Sequence, residues 1–214
     1  MKKYSEPFEA HQVFHVWTHA NGKDNLFTED QNYLFFLRKY DTYISPVADT
    51  FAYCLMPNHI HFMVRIKSEK TVAHFVSQKR NRDVTTFQGL RTLGRLSLEI
   101  SRQFSHLFNS YTQAYNKRYS RKGSLFMSNF KRRAIVSPDH FLTLLLYIHH
   151  NPVKHQFAEH PAGWRYSSYQ AYLSEKPTKL CRDEGLVWAG GIDSFLKLHD
   201  AAHTEKLKRL SLIE

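Results

Sequence analysis

The stretch Met56-Pro57-Asn58-His59-Ile60-His61-Phe62-Met63-Val64 sets two imidazoles two residues apart within a run rich in β-formers that spans residues 51–66. Side chains at i and i+2 of a strand point to one face, so His59 and His61 stand side by side while Ile60 turns into the core. With Cα atoms roughly 6–7 Å apart on strand geometry, the two rings can close on one metal ion. In a chain with 14 histidines this pair alone is a weak signal, and the surrounding sequence has to carry the argument.

Working outward, residues 12–18 alternate, with Val13, His15 and Trp17 on one face and Phe14 and Val16 on the other, which reads as a first strand. A turn at 20–25 leads to a helix over 29–44, marked by Tyr33, Phe36, Leu37 and Tyr40, with Thr28 as N-cap and Pro46 as the stop. Strands over 47–56 and 61–66 flank the Pro57-Asn58 corner. A short helix at 71–78, a polar connector at 80–95 and a long helix at 97–115 follow, the last with the stripe Ile100, Phe104, Leu107, Phe108 and Tyr111. Residues 121–135 suit a turn and a fourth strand. Ser137-Pro138-Asp139 opens a helix with a capping hydroxyl, proline at the first position and an acid in the first turn; it runs to His150 and is expected to stop at Asn151-Pro152. This order predicts an α+β domain, an antiparallel sheet with helices on one face, over residues 1–160. Residues 161–214, with Trp164, Tyr166, Tyr169, Tyr172, Trp188 and Phe195, read as a smaller C-terminal extension packing on or beside it.

The chain has 214 residues, 42% of them apolar, enough to fill a core. It contains no apolar run long enough for a membrane span and no secretory leader, so cytoplasm is the default expectation. Cys54 and Cys181 lie far apart in no ligand spacing and read as buried thiols. Thirty Lys+Arg against 19 Asp+Glu leave +11, which favours a polyanionic partner. No acid occurs between Glu99 and Asp139, where Lys117, Arg118, Arg121, Lys122, Lys131, Arg132 and Arg133 fall among Tyr111, Tyr115, Tyr119, Phe126 and Phe130. Cations beside aromatic faces suit unpaired bases on a phosphate backbone.

On the helix at 138–150, Phe141, Leu144, Leu145 and Ile148 form an apolar stripe, with His140, Thr143, Tyr147 and Asn151 on its flank. Tyr147 and Asn151, at i and i+4, bring a phenol and an amide oxygen together at the helix C-terminus, whose dipole favours a cation.

Met56-Pro57-Asn58-His59-Ile60-His61-Phe62 followed by Tyr147-Ile148-His149-His150-Asn151-Pro152-Val153-Lys154-His155 resembles the single-tyrosine HUH transposases, most closely the REP-associated tyrosine transposases of bacteria. The likeness extends to Gly123-Ser124-Leu125-Phe126 and to Trp164-Arg165-Tyr166-Ser167-Ser168-Tyr169, covering roughly residues 11–172. Gln156 departs from the glycine common after the Asn-Pro-Val run. The resemblance implies a ferredoxin-like or RRM-like sheet, a divalent metal (Mg2+ or Mn2+, with Zn2+ open) on His59, His61 and Asn151, and Tyr147 as nucleophile. It further implies cleavage and rejoining of hairpin-flanked single-stranded DNA through a 5′-phosphotyrosine, with phosphates and bases held by Lys117, Arg118, Arg121, Lys122, Phe126, Lys131, Arg132 and Arg133. Tyr115 and Tyr119 are rival nucleophiles. A non-catalytic hairpin-binding regulator and a rolling-circle replication nickase are the alternatives, and whether a second copy is a partner stays open.

Overall fold

A computed structural model describes residues 5–80 and 93–201. The chain runs β1 (Val13–His19), α1 (Asp30–Tyr43), β2 (Ala48–Leu55), β3 (His59–Ile66), α2 (Glu69–Arg80), α3 (Leu93–Arg118), β4 (Lys131–Ala134) and α4 (Pro138–Lys154). A 3-10 turn (Pro161–Gly163) and the helices α5 (Tyr169–Tyr172), α6 (Arg182–Trp188) and α7 (Ile192–Ala201) follow. The sheet order is β2-β3-β1-β4 with every neighbouring pair antiparallel, the ferredoxin-like arrangement with the α2–α3 pair in the second helix position. The connector expected over 80–95 lies mostly outside the described residues.

Period-two alternation gives the sheet two cores. Phe14 and Val16 of β1 and Ile60, Phe62 and Val64 of β3 pack on Tyr33, Phe36 and Tyr40 of α1 and on Ile100, Phe104, Leu107 and Tyr111 of α3. On the opposite face Cys54 and Met63 meet Phe141, Leu144, Leu145, Tyr147 and Ile148 of α4, joined by Tyr169, Tyr172 and Phe195. The expectation of helices on one face is therefore corrected: α4 and the C-terminal segment cover the second face. The physical reason is that β3 is buried on both sides, all but Arg65 of its eight residues, so each face needs an apolar cover.

The C-terminal segment is bonded along β2, with Leu55 N donating to Tyr166 O (2.9 Å) and Ser168 N to Tyr53 O (2.9 Å). Tyr172 Oη adds a 2.9 Å bond to Phe51 O. Helix α1 starts one residue later than Thr28 would place it, with Glu29 as N-cap and Asn32 Oδ1 accepting from Thr28 N at 2.9 Å. Ser137 caps α4 as read, accepting from His140 N at 3.2 Å. The expected stop at Asn151-Pro152 is corrected, because α4 continues to Lys154 and His155 N reaches Asn151 O at 3.1 Å. In the last turn a proline forfeits only the bond to the carbonyl four residues back, so the break is not enforced. Among the described residues no helix is long and apolar enough to cross a membrane.

Candidate active site

β1 and β3 are the central strands, and their register sets Trp17 opposite His61 and His19 opposite His59. His15, Trp17, His19, His59 and His61 thus share the sheet face on which α4 packs. His59 Nε2 lies 2.7 Å from Asn151 Oδ1. The Tyr147 ring stands edge-on to His61 with centroids 5.3 Å apart, and the His59 and His61 rings are 5.2 Å apart. The two motifs, whose nearest site residues His61 and Tyr147 are 86 positions apart in sequence, meet within one subunit because α4 stays helical through Asn151, which keeps Tyr147 and Asn151 on one side of it.

Each imidazole is engaged at Nδ1. Asn58 Oδ1 is 2.7 Å from His59 Nδ1, and His15 Nε2 is 2.9 Å from His61 Nδ1. His15 itself stacks on Trp17 at 4.3 Å and meets the Tyr147 ring edge-on at 6.1 Å. Burial pulls the His61 pKa well below the usual histidine range, and His15, His59, His19 and Lys154 push the same way. Burial likewise takes His15 down to about 3, with His140 and Arg133 contributing. Both rings are neutral at physiological pH, and a histidine must be neutral to ligate a metal.

The site is closed as it stands. His59 is 2% exposed, and His61, Tyr147 and Asn151 are 0% exposed. The sequence reading had the phenol and amide emerging at the helix end; packing of that turn against β3 buries them instead. Its outer rim is His155 and His19, whose rings lie 4.8 and 5.0 Å from His59, and Lys154, whose Nζ sits 5.3 Å from the Tyr147 ring.

The donor set suits a divalent cation. Among the described residues no three His, Cys, Asp or Glu gather as a metal group, so a site on this face needs the amide oxygen of Asn151 as its third donor. If His59 Nδ1–H donates to Asn58 Oδ1, then Nε2 presents a lone pair toward the lone pairs of Asn151 Oδ1. Two converging lone pairs 2.7 Å apart are the arrangement of two ligands on one ion, whereas charging the ring to donate twice would bury an imidazolium. Asn151 Nδ2 is buried and has no hydrogen-bond partner among the described residues, so the carboxamide is held chiefly by what its oxygen faces.

Comparison of folds finds a solved structure, the REP-associated tyrosine transposase bound to a REP hairpin, that matches with a TM-score of 0.52 at 16% identity over 83% of this chain and 89% of that one. The chain has the fold of a REP-associated tyrosine transposase. No family model and no curated protein matches it.

On that fold several cations of the basic segment are paired within the protein, and several are exposed. Arg118 pairs with Glu29 at 2.7 Å, Arg121 binds Asp24 and the carbonyl of Ser124, and Arg132 lies over the Phe8 ring at 4.6 Å. Lys117, Lys122 and Lys131 are exposed, and Arg133 is half-buried beside His15 on the sheet. Phe126, expected to stack on a base, is 5% exposed and packs 4.8 Å from Phe108, so the core takes its ring; Tyr111 and Tyr115 are buried likewise. Not every aromatic is withdrawn in this way: Tyr119 is exposed with Arg118 over its ring at 5.7 Å, and Arg132 lies 5.5 Å from the half-buried Phe130 ring. Tyr119, one rival nucleophile, is bonded to Glu29 and Asn32. Tyr115, the other, packs with its ring tilted against Tyr119, centroids 4.5 Å apart. A groove of about 870 Å³ runs between α3 and residues 124–132, lined by Ser101, Ser105, Asn109 and Thr112 and edged by Lys131 and Arg132.

Proposed function

We propose that the protein cuts and rejoins single-stranded DNA beside a hairpin, with Tyr147 as nucleophile and Mg2+ or Mn2+ held by His59, His61 and Asn151. The observation that carries this reading is the 2.7 Å approach of His59 Nε2 to Asn151 Oδ1, which joins the paired histidines to the tyrosine helix. The likeness to a protein bound to a REP hairpin and the net charge of +11 support hairpin DNA as partner.

Bound there, the cation would neutralise charge on the non-bridging oxygens of the scissile phosphate. His59 and His61 serve as neutral donors held in place by Asn58 and His15. Tyr147 Oη forms a bond to phosphorus as the bond from phosphorus to the 3′ oxygen breaks. The phenolic proton leaves, the 3′ oxygen takes one up, and the number of phosphate ester bonds is unchanged. The products are a 5′-phosphotyrosyl enzyme and a 3′-hydroxyl, so rejoining is the same step reversed on another end. The Lys154 ammonium, 5.3 Å from the Tyr147 ring, favours negative charge on the attacking oxygen. Exposed Lys117, Lys122 and Lys131 hold phosphates, and the groove along α3 accepts unpaired nucleotides. Because Tyr147 is buried, DNA entry requires the rim of His19, Lys154 and His155 to move outward.

That same burial favours a second reading, a hairpin-DNA binder that does not cut. Incubating the protein with a hairpin-bearing single-stranded oligonucleotide and Mg2+ or Mn2+ separates the two. The transposase reading expects a covalent adduct on a denaturing gel, abolished by chelator and by Tyr147→Phe. Tight binding without any adduct from the parent protein would leave only the binder.

A further inference from the structure

A neutral imidazole carries one proton, and only the nitrogen without it can ligate a metal. His61 Nδ1 lies 2.9 Å from His15 Nε2, so ligation by His61 goes through its Nε2. That requires the proton on His61 Nδ1, donated to His15 Nε2, and therefore the His15 proton on its own Nδ1. The opposite arrangement, His15 Nε2–H donating to His61 Nδ1, places the His61 proton on Nε2 and disables the ligand. Hydrogen bonding within the protein does not choose between the two, because His15 Nδ1 is buried without a hydrogen-bond partner among the described residues in either case. A buried polar atom left unpaired calls for a reason, and here it accompanies a ring whose other nitrogen is aimed at a candidate ligand.

We propose that His15 is a positioning residue for the metal centre, the acceptor that holds His61 in its ligating tautomer. The inference rests on the metal-site reading above. The ring is fixed for this task from three sides: it stacks on Trp17 at 4.3 Å, lies nearly parallel to His61 at 5.2 Å and meets Tyr147 edge-on at 6.1 Å. It is 1% exposed, so water does not stand in for the acceptor. Asn58 Oδ1 does the corresponding work for His59 at 2.7 Å, which leaves both rings presenting Nε2. Removing the outer partner of a metal-bound histidine typically weakens the metal by about 10–100-fold.

The test titrates the metal-free full chain with Mn2+, followed by calorimetry and by the paramagnetic resonance of the unbound ion. His15→Phe keeps an aromatic ring on Trp17 but has no acceptor, and is expected to raise Kd for Mn2+ by about 10–100-fold. His15→Gln restores an amide oxygen and is expected to recover most of that loss, which a purely structural role would not produce. Long-range proton–nitrogen spectra of the parent protein, labelled at histidine nitrogens and saturated with Mg2+, provide a readout independent of how the variants fold. They are expected to show the proton of both His15 and His61 on Nδ1. Binding by His15→Phe as tight as the parent's overturns the inference while leaving the metal site standing. A His61 proton on Nε2 in the Mg2+ form overturns the inference and also takes His61 out of the ligand set. A parent protein that binds no Mn2+ overturns the metal site itself.

Discussion

Lowering the pH from about 8 to about 5 is expected to cost the folded protein roughly 2 kcal/mol at His199 alone. His199 lies on α7, 1% exposed, with Nδ1 2.8 Å from Phe195 O and Nε2 2.9 Å from His149 Nδ1. A carbonyl only accepts, so His199 Nδ1–H donates to it, His149 Nδ1–H donates to His199 Nε2, and Ser168 Oγ–H donates to His149 Nε2 at 2.8 Å. Burial, helped by His150 and His160 and opposed by the Phe195 carbonyl, lowers the His199 pKa from 6.5 to about 3. A base whose folded pKa is depressed is neutral in the folded state while the unfolded chain takes up its proton below 6.5. Stability from this group is complete above that value and falls as the pH drops toward about 3. At pH 5 the unfolded chain is favoured by a factor of about 30 through this one site, which is the roughly 2 kcal/mol stated. Urea denaturation of the parent and of His199→Phe at the two pH values measures it. The variant is expected to be weaker at pH 8, having left His149 Nδ1–H unpaired, but to lose about 2 kcal/mol less on acidification. An equal loss in both proteins would refute the reasoning.

Truncating Phe126 to alanine is expected to lower stability by about 3–5 kcal/mol, read as a fall in Tm or in the urea midpoint, because the ring is core and not a stacking platform. Lys117→Ala and Lys122→Ala are each expected to weaken hairpin-DNA binding equally across sequences and to reduce the slope of log K against log salt by about 1. Arg121→Ala, by contrast, is expected to act chiefly on stability, since Arg121 already bridges Asp24 and the carbonyl of Ser124; an unchanged urea midpoint would count against that.

Much of the fold could be read from residue patterns, and the errors have identifiable physical causes. The Ser137-Pro138-Asp139 opening and the alternation of β1 carried the elements to the right places because caps and period-two burial are local properties. Placement of α4 on the second sheet face was not local. His59 and His61 suggested a functional face, when they also belong to a strand buried on both sides. The expectation that Phe126 stacks on a base fails for a similar reason: Tyr111 and Phe126 are inward positions of the same segment whose outward positions include Lys117 and Lys122. In the last turns of α4, His149 and His150 are buried at 0% and 1%, while His155 is the exposed histidine near His59. The candidate site itself was legible in both motifs. His15 was missed as a participant, although its place on the Val13, His15, Trp17 face of a strand was the available signal.

The most direct measurement is an anomalous difference map from a crystal of the protein soaked in Mn2+. The account expects one strong peak enclosed by His59 Nε2, His61 Nε2 and Asn151 Oδ1, beside the Tyr147 ring. A Mn2+ peak bound by other residues, with that space empty and the protein intact, would contradict it.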